Sequence, residues 1–293
     1  KPKFVDIDIN TLNIDLVDLE RKISKKTKAI ILVHVLGNCT NMNELMRIKR
    51  KYNLILIEDT CESLGTKYKN KYLGTYGEFS SFSFYSSHQI SSGEGGMVCC
   101  KNEEDFEILK ALRSHGWSRG LKNEKIISDK NQNLDKRFIF YNSGFNLRST
   151  DIAASIGLSQ FKDLQKFIRN RTINRNLINR EIKSNLKVSQ HFNILKQNNH
   201  VKASWFGIPI IISKKLIRKN VIKKLEKYGV ETRPIISGNF LKQPSVKKYK
   251  LSKNTNMKNA ELVNNKGFFI GLPTKKIKKK VIKKLVKSLE KSI

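Results

Sequence analysis

Apolar residues fall along this chain in two rhythms, and each rhythm predicts its own kind of element. Short runs such as AIILVHVL (29–36), NLILIE (53–58) and FGIPIIIS (206–213) read as buried strands, and EFSSFSFY (78–85) alternates in the manner of another. Between them the spacing turns helical. NMNELMRIKRKYN (41–53) brings Leu45, Ile48 and Tyr52 to one side of a helix that Asn41 or Asn43 would cap. EEDFEILKALRSHG (103–116) is a second helix, with acids in its first turn and Gly116 beyond its last. The stretch from about 120 to 140 is polar and reads as a long loop. The longest helical pattern, STDIAASIGLSQFKDLQKFIRNRTINRNLINREI (149–182), is expected to break near Asp163. Beyond it, ASWFGIPIII, the helix KKLIRKNVIKKLEKYG, the strand VETRPI, the segment FFIGLP and a final helix make a compact α+β unit, and the Asn/Lys-rich stretch 184–202 reads as a surface excursion.

Strands alternating with helices imply an α/β fold, a mostly parallel sheet with helices on its faces. The 293 residues suffice for two packed units. A long helix commonly joins domains, so the expected division is 1–163 and 164–293. No run approaches the ~18 uninterrupted apolar residues of a membrane span, and KPKFVDIDIN lacks an apolar signal region, so no membrane partner and a cytoplasmic setting are expected.

The formal net charge of +33 raises the question of nucleic acid. Pattern argues against it. In TKKIKKKVIKKLVKSLEKSI (274–293), Ile277, Val281, Ile282, Leu285, Val286 and Leu289 recur at helical spacing and leave the lysines on a solvated face. What remains is a weak pull on anionic, phosphate-bearing small molecules. Cys39, Cys61, Cys99 and Cys100 lack metal-motif spacing and read as reduced thiols, with no metal site implied.

In open α/β sheets ligands collect at the carboxyl ends of strands. Those ends carry His34, the pair Asp59 and Glu62, the serines Ser80, Ser81 and Ser83, and the segment SSHQISSGEGG (86–96). Taken singly, each has an ordinary reading. Asp59 could cap a turn, His34 on an apolar strand could be a core histidine, Arg233 could close a strand-end salt bridge, and His115, Trp117 and Arg119 could be surface residues. The glycines at 93–96 mark a tight turn.

Taken together, D-x-x-E, then S-F-S-F-Y-x-x-H, then G-E-G-G-M resembles the sugar aminotransferases of the DegT/DnrJ/EryC1/StrS family, fold-type I pyridoxal-phosphate enzymes. The likeness includes VDIDINTLNID (5–15), GFNLRSTDIAASIGLSQ (144–160) and ETRPI (231–235), and so runs essentially through the whole chain. It implies a large cofactor-binding domain over 1–163, lacking an N-terminal part that relatives possess, and a linker helix with a small α+β domain over 164–293. It also implies that Asp59 pairs with the pyridinium nitrogen, Glu62 with the phenolic oxygen and Ser83 with the phosphate. Asn146 would reach the phosphate of a partner subunit, which implies a homodimer.

The departure from the family pattern is His88, where aminotransferases carry the lysine that tethers the cofactor. No lysine lies between Lys71 and Lys101. Imidazole forms no stable Schiff base, so pyridoxal or pyridoxamine phosphate would be held non-covalently while His88 moves protons. This histidine version, followed by LRSHGWSRGL (112–121), resembles the branch of sugar 3-dehydratases that act on GDP-4-keto-6-deoxymannose with glutamate as amino donor. The resemblance places His115, Trp117 and Arg119 near the sugar, and Ser87, Arg233 and His34 are further candidates for the substrate side. Three other readings stay open: a sugar aminotransferase that manages without lysine, the iron–sulfur 3-dehydrase type that works on CDP-sugars, and a non-enzymatic relative used for sensing or assembly. The iron–sulfur type carries cysteines after the segment matching HGWSRG, and this chain has none there.

Overall fold

A computed structural model describes residues 1–251 and 257–293. After a short helix α1 (Leu16–Lys22), strand β1 (Ala29–Val33) leads through a tight turn into α2 (Met42–Lys51) and β2 (Ile55–Asp59). A small hairpin, β3 (Lys67–Tyr68) and β4 (Lys71–Tyr72), precedes β5 (Phe79–Ser83) and β6 (Gly96–Cys100). The main sheet has the order β1-β2-β5-β6, parallel through the first three strands and antiparallel at β6. It is the mixed, mostly parallel sheet that the rhythm predicted.

Its strands show why continuous apolar runs mislead about burial. Side chains alternate across a strand, and the register aligns Leu32, Glu58, Ser80 and Cys99 on one face. Leu32, Glu58 and Ser80 are buried there, Leu32 in one core with Met42, Leu45 and Ile48 of α2, which are fully enclosed. Val33, Asp59, Ser81 and Val98 align on the other face, where Ile31 is 69% exposed and Ile55 44%. Among the described residues that face is left largely open.

After β6 come α3 (Glu103–Leu112), α4 (Glu124–Asp129), α5 (Asp151–Phe161) and α6 (Leu164–Ser184). The break between α5 and α6 falls at Asp163, as expected, and Asn41 caps α2 by accepting from the Glu44 N–H at 3.3 Å. The supposed loop 120–140 instead contains α4 and a 3-10 turn at Lys136–Phe138. Stretch 184–202 is no excursion either. It forms α7 (Leu186–His191), β7 (Phe192–Ile194) and β8 (Val201–Lys202), and Val188 and Phe192 are buried.

The C-terminal unit is built on β9 (Gly207–Ile212), buried along its length, flanked by β7 and by β10 (Gly267–Gly271), both antiparallel to it. Helices α8 (Arg218–Lys227), α9 (Pro244–Lys248), α10 (Lys258–Lys266) and α11 (Lys279–Ser292) complete it. VETRPI is not a strand, since only Arg233 bridges to Phe269. Helix α11 buries Ile282, Val286 and Leu289 and turns its lysines outward. One apolar core runs from Leu32 and Leu56 through Trp205 and Ile208 to Phe268 and Leu289. Among the described residues no helix is long and apolar enough to cross a membrane.

Candidate active site

The site begins with two adjacent acids that the strand period separates. Glu58 points into the core, where it accepts from the backbone N–H groups of Gly74, Tyr76 and Gly77 at 2.7 to 2.9 Å. Asp59 points to the open face. It accepts from the Cys61 N–H at 3.1 Å and the Ser81 hydroxyl at 3.4 Å, and no basic side chain pairs with it among the described residues. A carboxylate so placed is available to a cationic ligand atom.

Beyond Asp59 the chain turns back and presents Glu62, which accepts from the Leu36 N–H at 2.8 Å. Leu36 takes φ +52° and Gly37 φ +89°, so the turn after β1 is held in the left-handed region in order to aim that donor. Burial, reinforced by the charge of Asp59, pushes the Glu62 carboxyl up to about 7 against the pull of the Leu36 bond. Near neutral pH it can therefore donate or accept.

The segment after β5 folds so that the Ser83 hydroxyl accepts from the Tyr85 N–H at 3.3 Å, leaving its own proton free, while the Ser83 carbonyl lies 3.4 Å from His88 Nδ1. The His88 ring is gripped edge-on by Phe206 at 5.4 Å and Tyr85 at 6.0 Å. Burial holds the imidazole below its ordinary pKa, Asp59 opposing and Arg171 adding to the effect, so it is neutral and able to act as a base near pH 7. Next to it, Gln89 is buried and donates to the carbonyls of Glu62 and Ser204. That residue ties the loop to both the strand end and the C-terminal unit.

A cavity of about 890 Å³ opens over these groups, lined by Glu62, Ser87, His88, Phe206 and Arg233 among others. Asp59 and Ser83 stand at the neighbouring strand ends rather than in its wall. Arg233 is held by backbone bonds to Phe269 at 2.8 and 3.0 Å and pairs with Glu231 at 2.9 Å.

Three expected residues are not brought to this cavity within the chain. His115 (φ +62°) tilts against Trp117 at 5.5 Å, Arg119 is exposed, and Asn146 is exposed on a segment bridged to Ser114. A fourth, His34, is a correction. It is wholly buried and its Nε2 lies 3.0 Å from Glu58. One residue past the Val33–Asp59 pair, the strand period turns it to the core face, so it braces Glu58 and cannot meet a ligand. Sequence reading missed Phe206, Gln89 and Arg171. The signal available for Arg171 was an arginine on the buried stripe of α6, in step with Asn174, Arg175 and Ile178.

The family model of the DegT/DnrJ/EryC1/StrS aminotransferases matches residues 1–290. The chain belongs to this family. Its fold is the fold-type I architecture of pyridoxal-phosphate enzymes. GDP-4-keto-6-deoxy-D-mannose 3-dehydratase of Escherichia coli O55:H7 is 39% identical over 274 residues, covering 92% of this chain and 69% of that protein. A structure of the E. coli dehydratase with bound hydrated pyridoxal phosphate superposes with a TM-score of 0.88 at 36% identity, over 98% of this chain and 73% of that one. A crystal structure of GDP-4-keto-6-deoxymannose-3-dehydratase with a trapped PLP-glutamate geminal diamine is equally similar, with a TM-score of 0.88 and 36% identity over 98% and 74%.

Pyridoxal phosphate is the cofactor of this family, and the donor set fits it: an unpaired carboxylate for a pyridinium, a hydroxyl with a free proton for a phosphate, and a carboxyl poised near neutrality for a phenolic oxygen. The group at the tether position is His88, so this fit is non-covalent.

Proposed function

We propose that this chain is a pyridoxal-phosphate-dependent 3-dehydratase that removes the C3 hydroxyl of a nucleotide-linked 4-keto-6-deoxyhexose, GDP-4-keto-6-deoxymannose, with glutamate as amino donor. The observation that carries the reading is His88, a half-buried imidazole held below its usual pKa at the wall of the cavity where relatives with transaminase chemistry need a lysine. Bound cofactor supplies an electron sink for charge developing beside it. Asp59 keeps that sink effective by holding the pyridinium nitrogen protonated, Ser83 donates to the phosphate, and Glu62 holds the phenolic oxygen. With the cofactor held there, His88 would be placed to take a proton beside the electron sink and to give it to the departing C3 hydroxyl, which leaves as water, one group serving as base and then acid. Having no amine with which to tether, it leaves the product free to depart and lose ammonia. Ser87 and Arg233 face the same cavity and contact the sugar.

The reading includes a homodimer, with 1–163 as the cofactor-binding unit and 164–293 as the linker helix and small unit. Phe145, Leu147, Ile152, Leu158 and Phe161 are exposed together on α5 and the segment before it, beside Asn146, which supports a second copy seated there. His115 and Arg119 belong to the adjoining segment and would complete the substrate side in that assembly.

The test is to supply the cofactor, glutamate and GDP-4-keto-6-deoxymannose and to follow product by mass and ammonia by coupled assay. The expected result is a 3-deoxy-4-keto product with one ammonia per turnover. A stable amino sugar with no ammonia would make the chain an aminotransferase. Absence of any cofactor absorbance band would support a non-enzymatic role.

A further inference from the structure

Helix α6 buries a stripe of polar side chains, and three of the four spend themselves on neighbouring backbone. Asn170 donates to the Thr274 carbonyl at 2.8 Å. Asn174 donates to the carbonyls of Pro273 and Lys275 and accepts from the Ile277 N–H. Arg175 donates to the Leu195 carbonyl at 2.6 Å and lays its guanidinium on Trp205 at 4.0 Å; its Nε is buried without a hydrogen-bond partner, but the residue lines neither cavity. These contacts already fix segment 273–277 and tie α6 to the core at Trp205.

Arg171 differs from Arg175 in lining the cavity beside His88. Its Nε donates to the Leu272 carbonyl at 3.0 Å, but Nη1 is buried with no hydrogen-bond partner, although the residue as a whole is only 6% exposed. No carboxylate is paired with it among the described residues, and burial alone lowers its pKa. The side chain lines the cavity shared with Glu62 and His88, and also a second cavity of about 600 Å³ lined by Ser86, Gln89 and Ser91 of the same loop. A buried guanidinium with unmade hydrogen bonds is costly, and its planar fork suits two oxygens of one anion.

We propose that Arg171 is an anion-binding residue of the active site, taking the carboxylate or phosphate oxygens of a ligand seated beside His88. The dehydratase reading supplies two candidate sources, the carboxylates of the amino donor and the diphosphate of the nucleotide sugar, and it governs only the choice of probes. Binding an anion there also neutralises the positive charge that opposes protonation of His88. The imidazole can then hold a proton more readily once ligand has arrived.

The experiment measures binding rather than turnover. Calorimetric titration of the chain, with and without bound cofactor, uses glutarate as an unreactive dicarboxylate and GDP as the phosphate probe. Arg171→Gln is compared with Arg171→Lys, which keeps the charge, and with Arg175→Lys, which alters a buried arginine on the same helix outside both cavities. The expected result is that Arg171→Gln weakens one probe about 10- to 100-fold, the scale of a lost charged hydrogen bond, and that Arg171→Lys restores part of it. Loss confined to glutarate assigns the carboxylate, and loss confined to GDP assigns the phosphate. Unchanged affinity for both probes in Arg171→Gln, or an equal loss in Arg175→Lys, would overturn the proposal. Neither outcome depends on whether the 3-deoxy product forms.

Discussion

Glu58 and Asp59 are neighbours of one charge with opposite tasks, and the same division explains His34 and His88. Glu58 and His34 close on each other in the core, whereas Asp59 and His88 face the cavity side. Replacing His88 with Asn keeps the shape and removes the proton carrier. Turnover should fall by about 10²- to 10⁴-fold while cofactor absorbance on titration stays near that of the parent. A variant that binds no cofactor would instead make His88 a holding group. Glu62 gives a pH signature. Its folded pKa of about 7 lies above the ordinary 4.5, so the folded state holds a proton that the unfolded chain has released. The stability from that proton is fully present below pH 4.5 and is lost as pH rises through 7. Glu62→Gln should therefore be near neutral in urea unfolding at pH 5 and more stable than the parent by up to about 3 kcal/mol at pH 8. An equal difference at both pH values would contradict the burial argument. Asp59, Glu62, Ser83 and His88 were singled out by resemblance to a family motif, and the structure sets them at neighbouring strand ends and on the loops that follow. The core face of His34 was not legible, because a one-residue step past the strand pair decides it and nothing in AIILVHVL marks where the pairing ends.

At the scale of elements, the turn after β1 links the fold to the site. Gly37 carries φ +89°, and a Cβ there would sit 2.1 Å from the Ser204 carbonyl oxygen, which cannot move without shifting the strand that follows. Gly37→Ala should cost about 1–3 kcal/mol. By displacing Leu36 N–H from Glu62, it should also move the Glu62 pH dependence upward. Unfolding curves over a pH series check both, and an unshifted pH dependence would separate the turn from Glu62. Caps and breaks were readable because they are local: Asn41 at the start of α2, Gly116 in the left-handed region after α3, Asp163 between α5 and α6. Helix α4 and strand β7 were not. Glu124–Asp129 has no buried residue to give it a rhythm, and Phe192–Ile194 is too short to show one and becomes a strand by pairing with β9.

At the scale of the molecule, the charge of +33 is dispersed over helix faces such as that of α11, while exposed apolar residues lie on the open sheet face and on α5 with the segment before it. If the α5 surface seats a second copy, Leu158→Glu should turn a dimer into a monomer with little change in its own unfolding, since Leu158 is 67% exposed. Light scattering across a concentration series reads the mass. A monomeric parent, or a variant that stays dimeric, would remove α5 from the interface. The sequence by itself determined the alternation of the main strands and helices as far as α3 and the polar face of α11, and it carried the family motif of Asp59, Glu62 and His88, because each depends on residues close together along the chain. Only the tertiary structure decided which face of the sheet was open, that His34 braces the core, and that Arg171 arrives beside His88 from 83 residues away. Those outcomes depend on how strands register and helices dock, and no local pattern encodes a contact between distant segments.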